Sequence, residues 1–94
     1  MVKSAAIKDN TTGIIYVGCN HASIANAPDT PKYVIGGIER NLCFGRLGIQ
    51  GFVLYGGKFV DRKEAARIAL ESGQIKRLRY FIDELDSADI NYPE

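Results

Sequence analysis

Short apolar runs separated by turn residues open the chain and predict strands. Residues 2–8 and 14–17 are two such runs, and a polar stretch that ends at Gly13 lies between them. Polar residues and glycine between two apolar runs are typical of a hairpin turn. We therefore predict an N-terminal β-hairpin, followed by a brief helical turn at residues 21–26 that ends before Pro28.

The same pattern recurs beyond the middle of the chain. Residues 52–55 and 58–60 are apolar or mixed runs that flank Gly56 and Gly57. Paired glycines readily take the positive φ angles of a tight hairpin turn. We predict a second hairpin here, and together the two hairpins predict a small antiparallel sheet.

Residues 62–72 have the period of a helix, and both of its ends are marked. Asp61 suits the N-cap, Glu64 completes a capping-box pattern, and Gly73 stands where a left-handed residue ends a helix. At 100° per residue the apolar side chains form one broad face. This face consists of Ala65, Ala66, Ile68, Ala69 and Leu70.

Arg62 is out of place on this predicted helix. Its azimuth lies between those of Ala66 and Ala69, on the apolar face and at the positive end of the helix dipole, where a cation is disfavoured. A nearby anion would stabilise it. That anion is either a carboxylate of the same chain, with the long stem bending towards water, or a phosphate or carboxylate ligand at the helix N-terminus. The sequence leaves both interpretations open.

Residues 75–86 have an apolar stripe at helical spacing and predict a second helix. The stripe consists of Ile75, Leu78, Phe81, Ile82 and Leu85. Basic residues lie in the N-terminal half and acidic residues in the C-terminal half, which the helix dipole opposes. Two copies packed antiparallel would pair basic with acidic ends, which predicts a two-fold dimer. The alternative is an Arg79–Asp83 pair within one solvated helix.

The glycine-rich middle of the chain is the least regular part. Residues 32–37 form an extended run, and residues 38–44 have Ile38 and Leu42 four positions apart, which predicts a short helix. Taken together, the patterns predict one α+β domain over residues 1–94. In this domain a small antiparallel sheet packs with two main helices.

Composition and charge exclude several classes of function. Twelve basic residues against eleven acidic ones give a net charge of +1, which argues against binding a long nucleic acid. The sequence has no apolar run long enough for a membrane helix and no apolar core of a signal peptide, so we expect a soluble cytoplasmic protein without a membrane partner. We expect Cys19 and Cys43 to stay reduced there.

The sequence also lacks the usual residues of catalysis. One histidine, His21, and two cysteines are too few for a four-ligand zinc site, and no glycine-rich segment has the spacing of a phosphate loop. Cys19 and His21 lie too close in sequence to be diagnostic of a nucleophile and its base. We therefore expect no metal, no cofactor and no enzymatic activity.

Several motifs resemble a known family. The motif QGF, then GKFVDRKEAARIALESGQI, then YFIDEL, is similar to a family of small proteins encoded by tailed phages, and KSAAIK and IIYVG with His21 shortly after resemble the start of that family. Residues 22–48 fall outside the resemblance. The family includes the anti-Thoeris sponges of the first type, which sequester cyclic ADP-ribose isomers made by bacterial immune enzymes.

The resemblance implies a non-enzymatic protein that assembles as dimers or multiples of dimers in the cytoplasm of an infected bacterium. It implies that a cyclic nucleotide signal, a cyclic ADP-ribose isomer or a cyclic oligonucleotide, binds at the subunit interface and is released unchanged. The ligand-binding residues that it implies are His21, Gln50, Phe52, Asp61, Arg62 and Gln74.

One position departs from the family pattern. Relatives place a basic residue just before the histidine, whereas this chain has Cys19 and Asn20. Either Arg40, Arg46 or Lys58 substitutes for the missing phosphate partner, or the ligand differs. Two other functions stay open: a phage inhibitor that docks on a host defence protein, and an enzyme that degrades the signal.

Overall fold

A computed structural model describes residues 1–93, and it has six strands and three helices in that range. The strands form a four-stranded antiparallel sheet in the order β2-β1-β5-β6 and a separate two-stranded sheet, β3-β4. The elements in chain order are β1 (Val2–Asp9), β2 (Ile15–Gly18), α1 (His21–Asn26), β3 (Tyr33–Ile35), β4 (Ile38–Arg40), β5 (Gly48–Leu54), β6 (Phe59–Asp61), α2 (Arg62–Glu71) and α3 (Ser87–Asn91). The predicted α+β class is confirmed. No helix in this range is long and apolar enough to cross a membrane.

Both predicted hairpins are present, and β1 joins them by pairing with β5 as well as β2. Buried Asp9 stabilises the first turn: its carboxylate accepts hydrogen bonds from the Thr11 backbone N–H (2.8 Å) and from the Tyr33 hydroxyl (2.7 Å). Burial raises the pKa of Asp9, but these hydrogen bonds outweigh it and leave the pKa below its ordinary value. In the second turn Gly57 has a φ of 93°, as a tight hairpin turn requires.

Helix α2 begins and ends close to where its sequence predicts. The Asp61 carboxylate accepts the Glu64 backbone N–H at 2.8 Å, and Gly73 adopts a φ of 74° after the last turn. The Glu64 carboxylate bonds Arg67 instead of reaching back to Asp61. Three buried alanines let the helix lie close against the sheet. They are Ala65, Ala66 and Ala69.

The predicted helical turn at residues 21–26 is confirmed as α1, whereas the predicted short helix at 38–44 is wrong. Ile38–Arg40 is strand β4, paired antiparallel with β3. Gly36 and Gly37 both have positive φ and turn the chain back on itself, so Ile38 continues a hairpin. Ile38 is exposed and Leu42 is fully buried, so the two side chains do not share an apolar face.

The predicted helix at 75–86 is also wrong, because this segment is irregular and the last helix is α3. Side chains replace helical hydrogen bonds: the Asp89 carboxylate accepts the backbone N–H groups of Arg79 (3.1 Å) and Asp86 (3.0 Å). Asp86 caps α3 in a capping box with Asp89. The dimer predicted from two antiparallel copies of this helix loses its basis.

One hydrophobic core lies between the sheet and the helices. It contains buried residues of β1, β5 and β6, together with apolar residues of α1 and α2. Ile75 and Leu85 belong to it as well, so the irregular segment is anchored at both of its ends. This anchoring brings residues 81–86 over the start of α2.

Candidate functional site

The side chain of Arg62 lies at the start of α2, under the irregular segment. Its Nε donates to the Leu85 carbonyl at 3.0 Å, and the Leu85 backbone N–H donates to the Arg62 carbonyl at 3.0 Å. The guanidinium carbon lies 4.5 Å from the centroid of the Phe81 ring. One terminal nitrogen is 3.8 Å from an oxygen of Asp86, and the side chain is 16% exposed.

These contacts hold the guanidinium of Arg62 in one orientation. An arginine has five N–H donors, and the contact to Asp86 at 3.8 Å is an ion pair beyond hydrogen-bond distance. Within residues 1–93, the Arg62 side chain makes one hydrogen bond, which its Nε donates to the Leu85 carbonyl. The anion near Arg62 is thus a carboxylate of its own chain, and the terminal N–H groups retain capacity for a further acceptor.

His21 lies beside this arginine and is buried. Its Nε2 is 2.8 Å from the Gly51 carbonyl oxygen, and since a carbonyl only accepts, Nε2 carries the proton. The ring meets Phe52 edge-on, with centroids 5.2 Å apart. Burial, and next the charge of Arg62, lower the pKa of His21; the bond to Gly51 and the charge of Asp86 oppose this without cancelling it.

The neutral state of His21 makes the free energy of unfolding depend on pH. In the unfolded chain this histidine is protonated below about pH 6.5. In the folded protein its pKa is lower, so it takes up the proton only at a lower pH. Protonation therefore favours the unfolded state, and stability should fall as the pH drops from about 7.5 to 5.5. Urea unfolding across this range measures the effect.

His21→Gln is the matched control for this pH dependence. A glutamine can still donate to the Gly51 carbonyl, but it does not titrate. The variant should have a nearly flat profile over the same range. A flat profile for the unchanged protein would contradict the assignment of a neutral, buried His21.

The structure brings three of the six predicted ligand-binding residues together: His21, Phe52 and Arg62. Phe52 is fully buried in the core, so its ring faces His21 and the core instead of solvent. Asp61 adjoins the group as the cap of α2.

Of the other two predicted residues, Gln74 lies apart from Arg62, whereas Gln50 lies next to Gly51, which pairs with Asp61 at the start of α2. Gln74, beyond the far end of α2, accepts from the Val2 backbone N–H (2.8 Å) and donates to the Val2 carbonyl (2.7 Å). Its side chain thereby pairs with the start of β1 in the manner of a strand. Gln50 is half-buried on β5, opposite Ile7.

Sequence reasoning missed the residues that surround Arg62, namely Phe81, Leu85 and Asp86. All three lie within the helix predicted at 75–86, where Phe81 and Leu85 would share the apolar stripe and Asp86 would lie off it. The sequence did contain a usable signal, because Asp86 and Asp89 have the three-residue spacing of an N-cap and its capping-box partner. That signal predicts a helix starting at 87 and a non-helical approach to it.

Arg40 is a second arginine with unused donors. Its guanidinium lies 4.4 Å from the centroid of the Phe44 ring, and its Nε is buried without a hydrogen-bond partner among residues 1–93. It borders an open cleft of about 330 Å³ that Asn41, Cys43 and Phe44 also line. Glu39 lines the same cleft, and its negative charge makes the cleft less favourable for an anion.

The fold and site define a small α+β protein with an ordered, partly buried arginine at a helix N-terminus. A family model described as Phage T4 y16D protein matches residues 1–90. The chain therefore belongs to this family of phage proteins. No curated protein and no solved structure matches it. In the part of the chain that the structure describes, no three His, Cys, Asp or Glu side chains cluster as metal ligands would.

Proposed function

We propose that this phage protein binds and sequesters a cyclic nucleotide immune signal, a cyclic ADP-ribose isomer or a cyclic oligonucleotide, without cleaving it. The observation that carries the proposal is that the Arg62 guanidinium is held in place and still has donors to offer. Leu85 and Phe81 fix its guanidinium, while its terminal N–H groups have no hydrogen-bonded acceptor among residues 1–93. A preorganised guanidinium loses little entropy when it binds a phosphate, which favours affinity.

Two further features support a nucleotide as the ligand. Phe81 is partly exposed next to Arg62, and an exposed aromatic ring offers a stacking surface for a base. The start of α2 adds positive potential from its first backbone N–H groups, one of which Asp61 already accepts. Arginine, aromatic ring and helix terminus together suit a phosphate next to a base.

Binding without cleavage is consistent with the chemistry of this region. His21 donates its Nε2 proton to the Gly51 carbonyl and is buried against Phe52. A general base needs an accessible nitrogen within reach of the proton that it removes. We propose that His21 orders β5 and leaves a bound nucleotide intact. The protein would act as a homo-oligomer in the cytoplasm of the infected host.

Isothermal titration against a panel of cyclic ADP-ribose isomers and cyclic di- and trinucleotides tests this function. We expect saturable binding of at least one panel member, which should be recovered with unchanged mass after the complex is heated. A linear mononucleotide of the same base is the matched control ligand. Binding of no panel member at about 100 μM would contradict the proposal, and recovery of a cleaved product would indicate an enzyme instead.

A second candidate function is inhibition of a host defence protein by the β3–β4 hairpin. Val34, Ile35 and Ile38 on this hairpin are exposed, and an isolated two-stranded sheet is at best marginally stable in water. A bound partner would cover these side chains. If this candidate is correct, the unchanged protein retains one stoichiometric host protein from lysate, Val34→Asp loses that protein, and neither binds a nucleotide.

A further inference from the structure

Arg40 leaves the β3–β4 hairpin on the face that looks towards the rest of the molecule. It lies opposite Tyr33 in the register, and opposed residues of an antiparallel pair point to the same face. The Tyr33 hydroxyl donates to Asp9 at the end of β1, so this face is the inner one. Glu39, which borders the same cleft, pairs with Val34. Because neighbouring side chains alternate, Glu39 starts from the outer face, away from Arg40.

The Arg40 guanidinium is held in place, but its charge is not paired. It lies on the Phe44 ring, 4.4 Å from the centroid. Among residues 1–93 it forms no ion pair, whereas Arg62 and Arg79 each lie within 4 Å of a carboxylate. Its Nε is buried and, like its more accessible terminal nitrogens, has no acceptor in this range. Native proteins hold few buried donors without a partner, and a bound ion or ligand is one explanation for such a donor.

The Phe44 ring borders two neighbouring clefts. The first has a volume of about 330 Å³ and contains Arg40. The second has a volume of about 240 Å³ and is lined by Ile35, Leu47 and Arg46 among others. Phe44 itself is 42% exposed. The two clefts therefore form an apolar surface on either side of one aromatic ring, with an arginine in each cleft.

We propose that this surface binds a small molecule in which an oxyanion, a carboxylate or a phosphate, is attached to a flat apolar group. The terminal nitrogens of Arg40 hold two oxygens of the anion side by side. The flat group packs on the part of Phe44 that Arg40 leaves exposed. This site lies within residues 22–48, outside the family resemblance, and it is separate from the nucleotide site proposed at Arg62.

The dimensions and charges of the site favour a small molecule over a macromolecule. Clefts of this size suit a single ring with its substituents. A protein or a nucleic acid that covered the hairpin would also meet exposed Val34 and the carboxylate of Glu39. A small anion on the inner face approaches Arg40 without covering either residue.

A titration followed by ¹H–¹⁵N NMR, without any cyclic nucleotide, tests this site. The probes are phenyl phosphate and benzoate, and the tighter of the two identifies the oxyanion. We expect a dissociation constant of about 1 mM or lower, with shifts at the Phe44 amide and the Arg40 Nε–H. Inorganic phosphate and benzyl alcohol are the matched controls, because each carries half of the probe. Both should bind at least tenfold more weakly.

Arg40→Leu separates a binding role from a structural one. We expect this variant to raise the dissociation constant at least tenfold and to leave the urea midpoint no lower, because it removes a buried donor that has no partner. Arg40→Lys should also bind weakly, since it keeps the charge and loses the paired donors. Arg67→Leu, at a surface arginine, should leave binding unchanged.

Three results would each overturn the proposal. The first is that neither probe binds below about 10 mM, or that inorganic phosphate binds as tightly, which would indicate an adventitious ion only. The second is full binding by Arg40→Leu. The third is a loss of binding with Arg62→Ala, because the probe would then occupy the other site. None of them bears on the titration with cyclic nucleotides, so the two proposals fail separately.

Discussion

Replacement of Phe52 by alanine is expected to lower the free energy of unfolding by about 3–5 kcal/mol. Phe52 is among the largest fully buried side chains and lies in the main core. Its ring is also the surface against which His21 packs. A loss of this size is a large part of the roughly 5–15 kcal/mol that stabilises a typical domain. Urea unfolding followed by circular dichroism measures it.

Tyr92→Ala is the control for this substitution. Tyr92 is another aromatic residue, but its side chain is largely exposed at the end of α3. Loss of its ring should change the free energy of unfolding by no more than about 0.5 kcal/mol. A change below about 1 kcal/mol for Phe52→Ala would show that the ring lies outside the core. Phe52 would then be accessible to a ligand, as the family resemblance implies.

The second large effect is expected for Arg62→Ala on nucleotide affinity. Loss of one charge-assisted hydrogen bond to a phosphate should weaken binding by about 2 kcal/mol, or roughly thirtyfold. The substitution also removes the bond to Leu85 and the contact with Phe81. We therefore expect an accompanying loss of about 1 kcal/mol in stability. Titration and urea unfolding of the same preparation separate the two effects.

Two arginine substitutions serve as controls for Arg62→Ala. Arg67 lies on the same helix and pairs with Glu64 and Glu71 at the surface, so Arg67→Ala should leave affinity unchanged. Arg40→Ala tests the second arginine with unused donors. If Arg62→Ala leaves nucleotide affinity unchanged and Arg40→Ala lowers it thirtyfold, the nucleotide site lies at Arg40, at the end of β4. Arg62 would then be purely structural.

The elements that the sequence predicts correctly are those specified by neighbours in the chain. Asp61 and Gly73 fix the ends of α2 because a cap and a left-handed residue act within one turn. Gly57 defines the second hairpin in the same way. The pairing of β1 with β5 was not predicted, because it joins residues 39 to 52 positions apart and leaves no local signal.

Residues 75–86 show why the rest could not be predicted. Their apolar stripe is real, but Ile75 and Leu85 bury themselves in the core while Ile82 points away from it. A helix would place all three on one face. The backbone instead finds partners in Asp89 and in the carbonyl of Arg62. Such tertiary contacts override a local periodicity, since helical propensity is a weak preference.

The candidate site was predictable in part. Helical geometry singled out Arg62 as a cation that needs an anion, and the structure provides Asp86 at 3.8 Å. The roles of Phe81 and Leu85 depend on the irregular path of the chain above α2. Gln74 illustrates the reverse case, because an amide expected to bind a ligand is bonded twice to Val2.

The most direct test of nucleotide sequestration is native mass spectrometry of the protein purified from bacteria that produce a cyclic nucleotide immune signal. We predict an oligomer that carries additional mass matching the nucleotide, at one molecule per equivalent site. Denaturation should release this nucleotide with its mass unchanged, and Arg62→Ala should be purified without it. An oligomer or monomer of the bare protein mass, from cells shown to contain the signal, would contradict the account.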